Sequence, residues 1–422
     1  MENMQSNRLW TYDFTIITLG SVVSMVGGTL SGFAISLLVL DDTGSTFLYA
    51  LFNVCYQLPM LVCPLLAGPY LDRMSRKRVI YTLDFTSAGI FFLLFLLLRT
   101  GWFSYPVLLL ACVVIGAING VYMVAYDSFY PNLIPEGCYR KAYSVSSMLW
   151  PIAAMTTPVA AAIYDYAGSV TPILAVNAAC FFLAACFERT IRYQETHMAA
   201  APPAGGLGAG ARFRRDFREG IDYLREERGL LIISLYFMVS NFCYGADNLQ
   251  LPYFLNHARR FAAWPVAAAT LYAVVSNCNV AGRFAGGLLQ YKLSFPKEKK
   301  FAIALFVYVS ICLLDGTVLF LPIPLMMLFQ FIQGVLGVTS YTIRTAATQA
   351  YVPDTKRARF NGIFQMMISA GSILGNLAAG ALAEVFSERV VVAGINAFAL
   401  AMVYVFMVRG RSHVAAIYNR DM

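Results

Sequence analysis

The chain has 422 residues, of which 59% are hydrophobic and 13% charged, with a mean hydropathy of +0.63 and a formal net charge of +8. A soluble domain carries about a quarter charged residues, so this composition excludes an ordinary soluble enzyme and describes a protein dissolved mostly in lipid. The positive charge does not point to nucleic acid, because the cations sit in turns between apolar runs and form no basic face on a soluble domain.

Runs of about 18 or more apolar residues can cross the hydrocarbon as helices. Twelve occur, over residues 12–39, 46–71, 77–98, 104–130, 140–165, 169–187, 229–255, 263–290, 300–320, 323–350, 358–385 and 389–408. They are too long for barrel strands and lack a period of two. The first run is too long for a signal peptide and has no basic flank, so it reads as a retained span. With both termini in the cytoplasm, 25 of the 31 lysines and arginines fall in inner segments. Only Arg99, Arg259, Arg260 and Arg389 then lie outside, and Arg283 and Arg344 lie within spans. That asymmetry argues for an even number of spans with both ends inside.

Between spans two and three stands GPYLDRMSRKR, residues 68–78. Gly68 allows two helices to approach closely. Asp72, at a helix end, can accept hydrogen bonds from the N-terminus of a neighbouring helix, where the dipole favours an anion. Arg73, Arg76, Lys77 and Arg78 hold the turn in the cytoplasm and can pair with Asp72. The plainer alternative is that these cations serve topology alone. The matching turn of the second half, GGLLQYKLSFPKEKK, keeps Gly286 but has Gln290 where Asp72 would stand.

After the sixth span, residues 199–211 are rich in Ala, Gly and Pro and read as a linker. Phe213, Phe217, Ile221 and Leu224 then recur at helical spacing among charges, which describes an amphipathic helix. It lies either on the inner membrane surface or on the protein's own inner face. The expected organisation is a six-helix bundle over 1–187, a cytoplasmic linker with this helix over 188–228, and a second six-helix bundle over 229–422. The halves look like repeats at an offset of 218 residues: Pro135 meets Pro353, Glu136 meets Asp354 and Met148 meets Met366. A duplicated helical transporter is the architecture such repeats favour.

Acids inside spans are costly and usually functional. Asp247, within NFCYGADNLQLPYF, sits beside Gly245 and Pro252, which can break a helix and expose carbonyls to a cavity. It is the first candidate for coupling. Asp84 is a second, with a structural pairing to nearby cations as its competing role. Asp127 is a candidate gate residue. Asp165 and Asp315 read as acids of the outer interface with no special role. Arg344 suits an inner gate or an anionic contact, or else snorkels, as Arg283 also can. Polar and aromatic groups that would line a cavity are Asn53, Tyr56, Gln57, Asn119, Trp150, Asn241, Asn277, Gln333 and Gln365. Such a lining suits an amphiphilic organic substrate, although helix-to-helix hydrogen bonds are the competing fate of each. No histidine lies in a span, so any proton carriage falls to carboxylates. The nine cysteines show neither metal spacing nor a disulfide framework. Without a phosphate loop, a paired-histidine motif or a nucleophile elbow, neither catalysis nor a cofactor is expected.

Gly68, Asp72, Arg73, Arg76 and Lys77, with Ser75 in place of a second glycine, resemble the loop signature of the major facilitator superfamily. Thr43-Gly44-Ser45, Pro59 and Asp84 are similar to its macrolide-efflux and enterobactin-exporter branch, as are DFREGIDYLREERGLLIISL and QAYVPDTKRARFNGIFQ. Span five has TTPVAAA, keeping Pro158 with Thr157 where drug antiporters often have glycine. Span eleven has GSILGNLAAG, with Gly371, Gly375 and Gly380 as close-packing positions. The resemblance implies an all-α membrane protein of twelve transmembrane helices in two bundles. It also implies that Gly68, Asp72, Arg73, Arg76 and Lys77 form a conformational latch that breaks on inward opening. The implied activity is secondary active transport in a plasma membrane by a monomer, with proton-coupled efflux of amphiphilic compounds. The alternatives are an importer or symporter of a small nutrient, a lipid flippase, or a non-transporting sensor.

Overall fold

The computed structural model describes residues 9–43, 46–167, 169–195, 209–261, 263–264, 268–292 and 295–420. Gly44, Ser45 and residues 199–208 of the linker lie outside the described residues, and so do the side chains of Asn53, Thr157, Pro158, Asp165 and Phe213. Regular structure among the described residues is helical throughout. In chain order the helices are α1 (Tyr12–Thr43), α2 (Thr46–Leu71), α3 (Arg76–Thr100), α4 (Tyr105–Phe129), α5 (Tyr139–Ala154), α6 (Thr157–Ala167), α7 (Thr171–Arg189) and α8 (Ala209–Glu226). They continue as α9 (Arg228–Tyr244), α10 (Gln250–Asn256), α11 (Ala268–Lys292), α12 (Lys300–Thr317), α13 (Ile323–Tyr351), α14 (Asp354–Ala383), α15 (Glu388–Met402) and α16 (Arg411–Tyr418). Among the described residues, nine helical segments are long and apolar enough to cross a membrane. Leu110, Leu377 and Phe306, each about two-thirds exposed, are what a lipid-facing surface carries.

Two elements differ from the sequence reading, and a third follows it. Span five is two helices, α5 and α6. Pro151 lies in the last turn of α5 and removes a donor from the helix ladder. Span seven breaks as its Gly and Pro suggest: α9 gives way to a 3-10 turn over Gly245–Leu249 before α10. The unexpected α16 follows span twelve. It buries Val414, Ile417 and Tyr418, and the Tyr418 hydroxyl lies 3.0 Å from that of Tyr308. For α8 the structure decides between the two surfaces. Tyr223 and Leu224 are buried, and Glu219 accepts from Arg359 of α14 at 2.8 Å. The helix therefore packs on protein.

The chain groups into two compact units. One comprises Met1–Glu136, Leu149–Gly220 and Val352–Gln365; the other comprises Gly137–Met148, Ile221–Tyr351 and Met366–Met422. In the first, α2 packs on α4, and α1 and α3 both pack on α7. In the second, α11 packs on α13 and α12 on α15. The 218-residue offset reappears in the two glycines, though not in their partners, since the counterpart of Tyr56 would be Val274. Gly116 of α4 presses on the carbonyl of Tyr56 in α2, and Gly334 of α13 presses on the carbonyl of Asn279 in α11. Backbones approach so closely only where no Cβ intervenes. In span eleven, Gly371 and Gly375 lie against the carbonyls of Met238 and Phe242, as close packing requires. Gly380 does not share that role, because a Cβ there would meet nothing within 4 Å outside its own helix.

Candidate functional site

Two sites emerge, one in each unit. The first is built where α2 ends and α3 begins. The α3 N-cap, Ser75, accepts from the Arg78 N–H and donates to Glu195. The Arg76 N–H also binds Glu195, at 2.8 Å. This fixes the first turn of α3 and aims the fully buried Arg76 guanidinium inward. Arg76 reaches Asp72 Oδ1 at 3.0 Å, Asp354 Oδ1 at 2.5 Å, and the carbonyls of Asp354 and Ser128 at 2.8 and 2.9 Å. Asp72 in turn accepts the N–H groups of Ala358 and Arg359 at 3.0 and 3.3 Å and pairs with Arg359 Nε at 3.0 Å. It thus lies against the first turns of α14, where the dipole favours an anion. Arg357 pairs with Asp354 at 3.1 Å and with Asn132. Gly68 makes the approach possible, since a Cβ there would stand 2.9 Å from the Ala358 carbonyl oxygen.

The turn therefore brings Gly68, Asp72 and Arg76 together. Lys77 goes elsewhere, to the carbonyl of Ile191. Sequence reasoning missed Asp354, Arg359, Arg357 and Asn132 as partners. The available signal was the repeat, which sets Glu136 over Asp354 and Arg140 over Ala358. In the second unit Arg140 reaches the carbonyl of Gln290, 218 residues beyond Asp72. Gln290 Nε2 donates to Thr339 at 2.9 Å. The second copy has a neutral amide where the first has a carboxylate.

Burial pushes the Asp72 carboxyl up to about 6, against the pull of Arg76, of Arg359 and of the Ala358 N–H. An exposed aspartate ionises near 3.9. Engaged Asp72 thus binds its proton more tightly than released Asp72. Acid favours engagement between about pH 4 and 6, and that contribution is lost as pH rises through about 6. Backbone hydrogen exchange in residues 352–365, corrected for intrinsic rates, is expected to be about tenfold better protected at pH 5 than at pH 7. Equal protection would mean that Asp72 keeps its charge throughout.

The second site occupies the helix break. Asp247 lies in the 3-10 turn and accepts from Gln250 Nε2 at 3.4 Å. Gln250 Oε1 accepts from Gln330 at 2.9 Å. Gln330 and Gln333 both accept from Asn279 Nδ2, at 3.4 and 2.9 Å. Gln333 closes the chain on Asp315, which faces Asp247. Asp315, expected at the outer interface without a role, is 7% exposed and belongs to this network. A string of amides linking two carboxyls can rearrange its hydrogen bonds as a proton comes or goes.

The remaining residues scatter. Asp84 meets no loop cation among the described residues; it is buried, takes a hydrogen bond from Ser24 and faces Glu188. Asp127 is half-buried near the end of α4. Asn119 donates to the Tyr56 hydroxyl at 2.9 Å, a bond between helices. Asn241 donates to the Phe237 carbonyl of its own helix at 2.8 Å. Gln57, Asn277 and Trp150 are exposed, and Gln365 is half-buried. Arg344 lies over the rings of Phe237 and Tyr341 at 4.6 and 5.6 Å, a cation–π arrangement. The nine cysteines are all free.

The family profile described as Major Facilitator Superfamily matches residues 17–318 and 298–417. The chain is 25% identical over 243 residues to the uncharacterized MFS-type transporter YkuC of Bacillus subtilis, covering 55% of this chain and 54% of that protein. It is 23% identical over 253 residues to macrolide efflux protein A of Streptococcus pyogenes, covering 59% and 60%. These matches span little more than half the length of the curated relatives. Among solved structures, FucP in the outward conformation aligns with a TM-score of 0.69 at 16% identity over 94% of this chain and 98% of that one. A bacterial homologue of the iron transporter ferroportin, in an outward-facing state, aligns with 0.72 at 14% identity over 94% and 99%.

Proposed function

We propose, because the chain belongs to the Major Facilitator Superfamily, that this multi-pass membrane transporter works by alternating access and exports amphiphilic organic compounds in exchange for protons. It is not an enzyme. The observation that carries the coupling is the placement of Asp247 in a helix break, joined through amides to a second buried carboxyl, Asp315. An acid that a proton and a substrate engage in different states can link their movements. The cluster of Asp72, Arg76, Asp354 and Arg359 supports the latch reading: Gly68, Asp72 and Arg76 hold the start of α14 and release it when the transporter opens inward. Arg73 and Lys77 contribute positive charge to the same turn.

Export, rather than import, is supported by the likeness to macrolide efflux protein A. The asymmetry of cations supports a plasma-membrane protein with both termini in the cytoplasm, and two bundles in one chain suit a monomer. The cavity candidates Asn53, Tyr56, Gln57, Asn119, Trp150, Asn241, Asn277, Gln333, Arg344 and Gln365, with Asp84 and Asp127 as further acids, give a mixed apolar and polar lining.

The test uses inside-out vesicles carrying a proton gradient and a panel of amphiphilic dyes and macrolides. Wild type is expected to dissipate the gradient when a substrate is added. Asp247→Asn is expected to lower that response at least tenfold while still binding substrate, because the amide keeps the hydrogen bond to Gln250 and loses the proton. Dissipation that survives Asp247→Asn but fails in Asp72→Asn would keep the latch and remove coupling from Asp247.

A further inference from the structure

A second pair of acids lies in the first unit, where α1, α3, α4 and α7 meet. Glu188, in the last turn of α7, is fully buried, and Asp84 of α3 is 2% exposed. The two face one another across the packed helices α3 and α7. Glu188 Oε1 accepts the Tyr122 hydroxyl of α4 at 3.1 Å. Asp84 is hydrogen-bonded by Ser24 of α1. The other oxygen of each carboxyl, Glu188 Oε2 and Asp84 Oδ2, is buried with no hydrogen-bond partner among the described residues. Gly20 of α1 closes the site: a Cβ there would stand 3.1 Å from Glu188 Cγ.

The charges around the pair decide its chemistry. Among the described residues the titratable group that meets both acids is Tyr122 of α4, a neutral hydroxyl. From α1 come Gly20 and Ser24. Arg78 and Arg189 are exposed, and three other cations of the neighbouring turns are engaged elsewhere. Arg76 binds Asp72, Asp354 and Ser128. Lys77 binds the Ile191 carbonyl, and Arg192 lies over the Tyr12 ring at 4.5 Å. Two adjacent carboxylates with no cation between them repel each other and lack the hydration that would support their charge. No cation among the described residues pairs with either acid, so the two do not form part of an ion pair. A proton on one carboxyl leaves a single negative charge at the site and relieves the repulsion.

We propose that Asp84 and Glu188 together form a proton-binding site, distinct from the Asp247 and Asp315 network and able to hold one proton between two carboxyl groups. Tyr122 and Ser24 are positioning residues that hold one oxygen of each acid and leave the other two to share the proton. The site does not depend on Asp247 being the coupling acid. Taken with that reading, it gives each unit its own proton-carrying pair.

Infrared spectroscopy of the whole chain in liposomes tests the proposal without any transport substrate. At pH 7, the spectrum of wild type minus that of Asp84→Asn/Glu188→Gln is expected to contain one protonated carboxyl C=O stretch that shifts in D2O, with the intensity of a single group. Raising the pH converts it to a carboxylate band. The same band is expected to persist in Asp247→Asn/Asp315→Asn, so loss of the coupling reading leaves this result standing. Two carboxylate bands and no carboxyl band in the difference spectrum would overturn the proposal. So would a carboxyl band of equal size in wild type and the double variant. Should the double variant fail to fold, the alkaline titration of the band in Asp247→Asn/Asp315→Asn decides the matter. Its absence at every pH above 5 would overturn the site.

Discussion

Arg76→Ala is expected to cost about 3–5 kcal/mol, the range for removing one partner of a buried ion pair. The guanidinium is fully buried and joins Asp72, Asp354 and the Ser128 carbonyl at once. Alanine would leave Asp72, which is 3% exposed, facing a void as well as its remaining partners. Lysine does not substitute, because a single ammonium cannot reproduce contacts made by two separate Nη atoms of a planar fork. The measurement is thermal unfolding of the purified protein, set within a cycle of variants. Arg76→Met combined with Asp72→Asn and Asp354→Asn is expected to regain more than half of the loss, since no charge is then stranded. By contrast Arg215→Ala is expected to change stability by less than about 0.5 kcal/mol, because its pair with Glu219 is about half exposed on both sides. Equal effects of Arg76→Ala and Arg215→Ala would refute the claim that burial makes the difference.

How much of this was legible in the sequence varies with the physics of each feature. Spans and the break in span seven could be read because hydropathy and a Gly–Pro pair act locally. The division of span five could not be placed, because Pro151 interrupts a ladder without interrupting the apolar run. Asp72 and Arg76 could be paired from a spacing of four. Their partners Asp354 and Arg359 stand more than 270 residues away, and only the repeat hinted at them. Asp315 was misplaced, and Glu188 passed over, for a related reason. Each lies near the end of its span, where an acid ordinarily finds water. Burial there depends on which helices pack around it, and the sequence of one helix does not contain that information. The glycines were the reverse case. Gly371 and Gly375 were read from the need for close approach, and the same rule over-reached at Gly380.

Gly116→Val and Gly334→Val are each expected to lower the unfolding temperature substantially, by a cost of about 1–3 kcal/mol or more for atoms forced into a packed contact. In both cases the obstructing atoms belong to backbone, the carbonyls of Tyr56 and of Asn279. A side chain in the way could rotate aside, but a carbonyl moves only if its helix moves. The whole contact between α2 and α4, or between α11 and α13, would have to widen. Gly89→Ala in α3 is the control. Nothing lies within 4 Å of the atom added there, and alanine in a helix interior is favoured over glycine by about 0.5–1 kcal/mol. That variant is expected to be neutral or stabilising, measured on the same thermal ramp. The two valine variants carry the argument about duplication as well. If the 218-residue repeat placed one packing rule in both units, their penalties should match within about 1 kcal/mol on the scale of ordinary context effects. A severe loss at Gly116 with none at Gly334 would mean that the second unit has acquired slack, and that the likeness of the two contacts is one of sequence position alone.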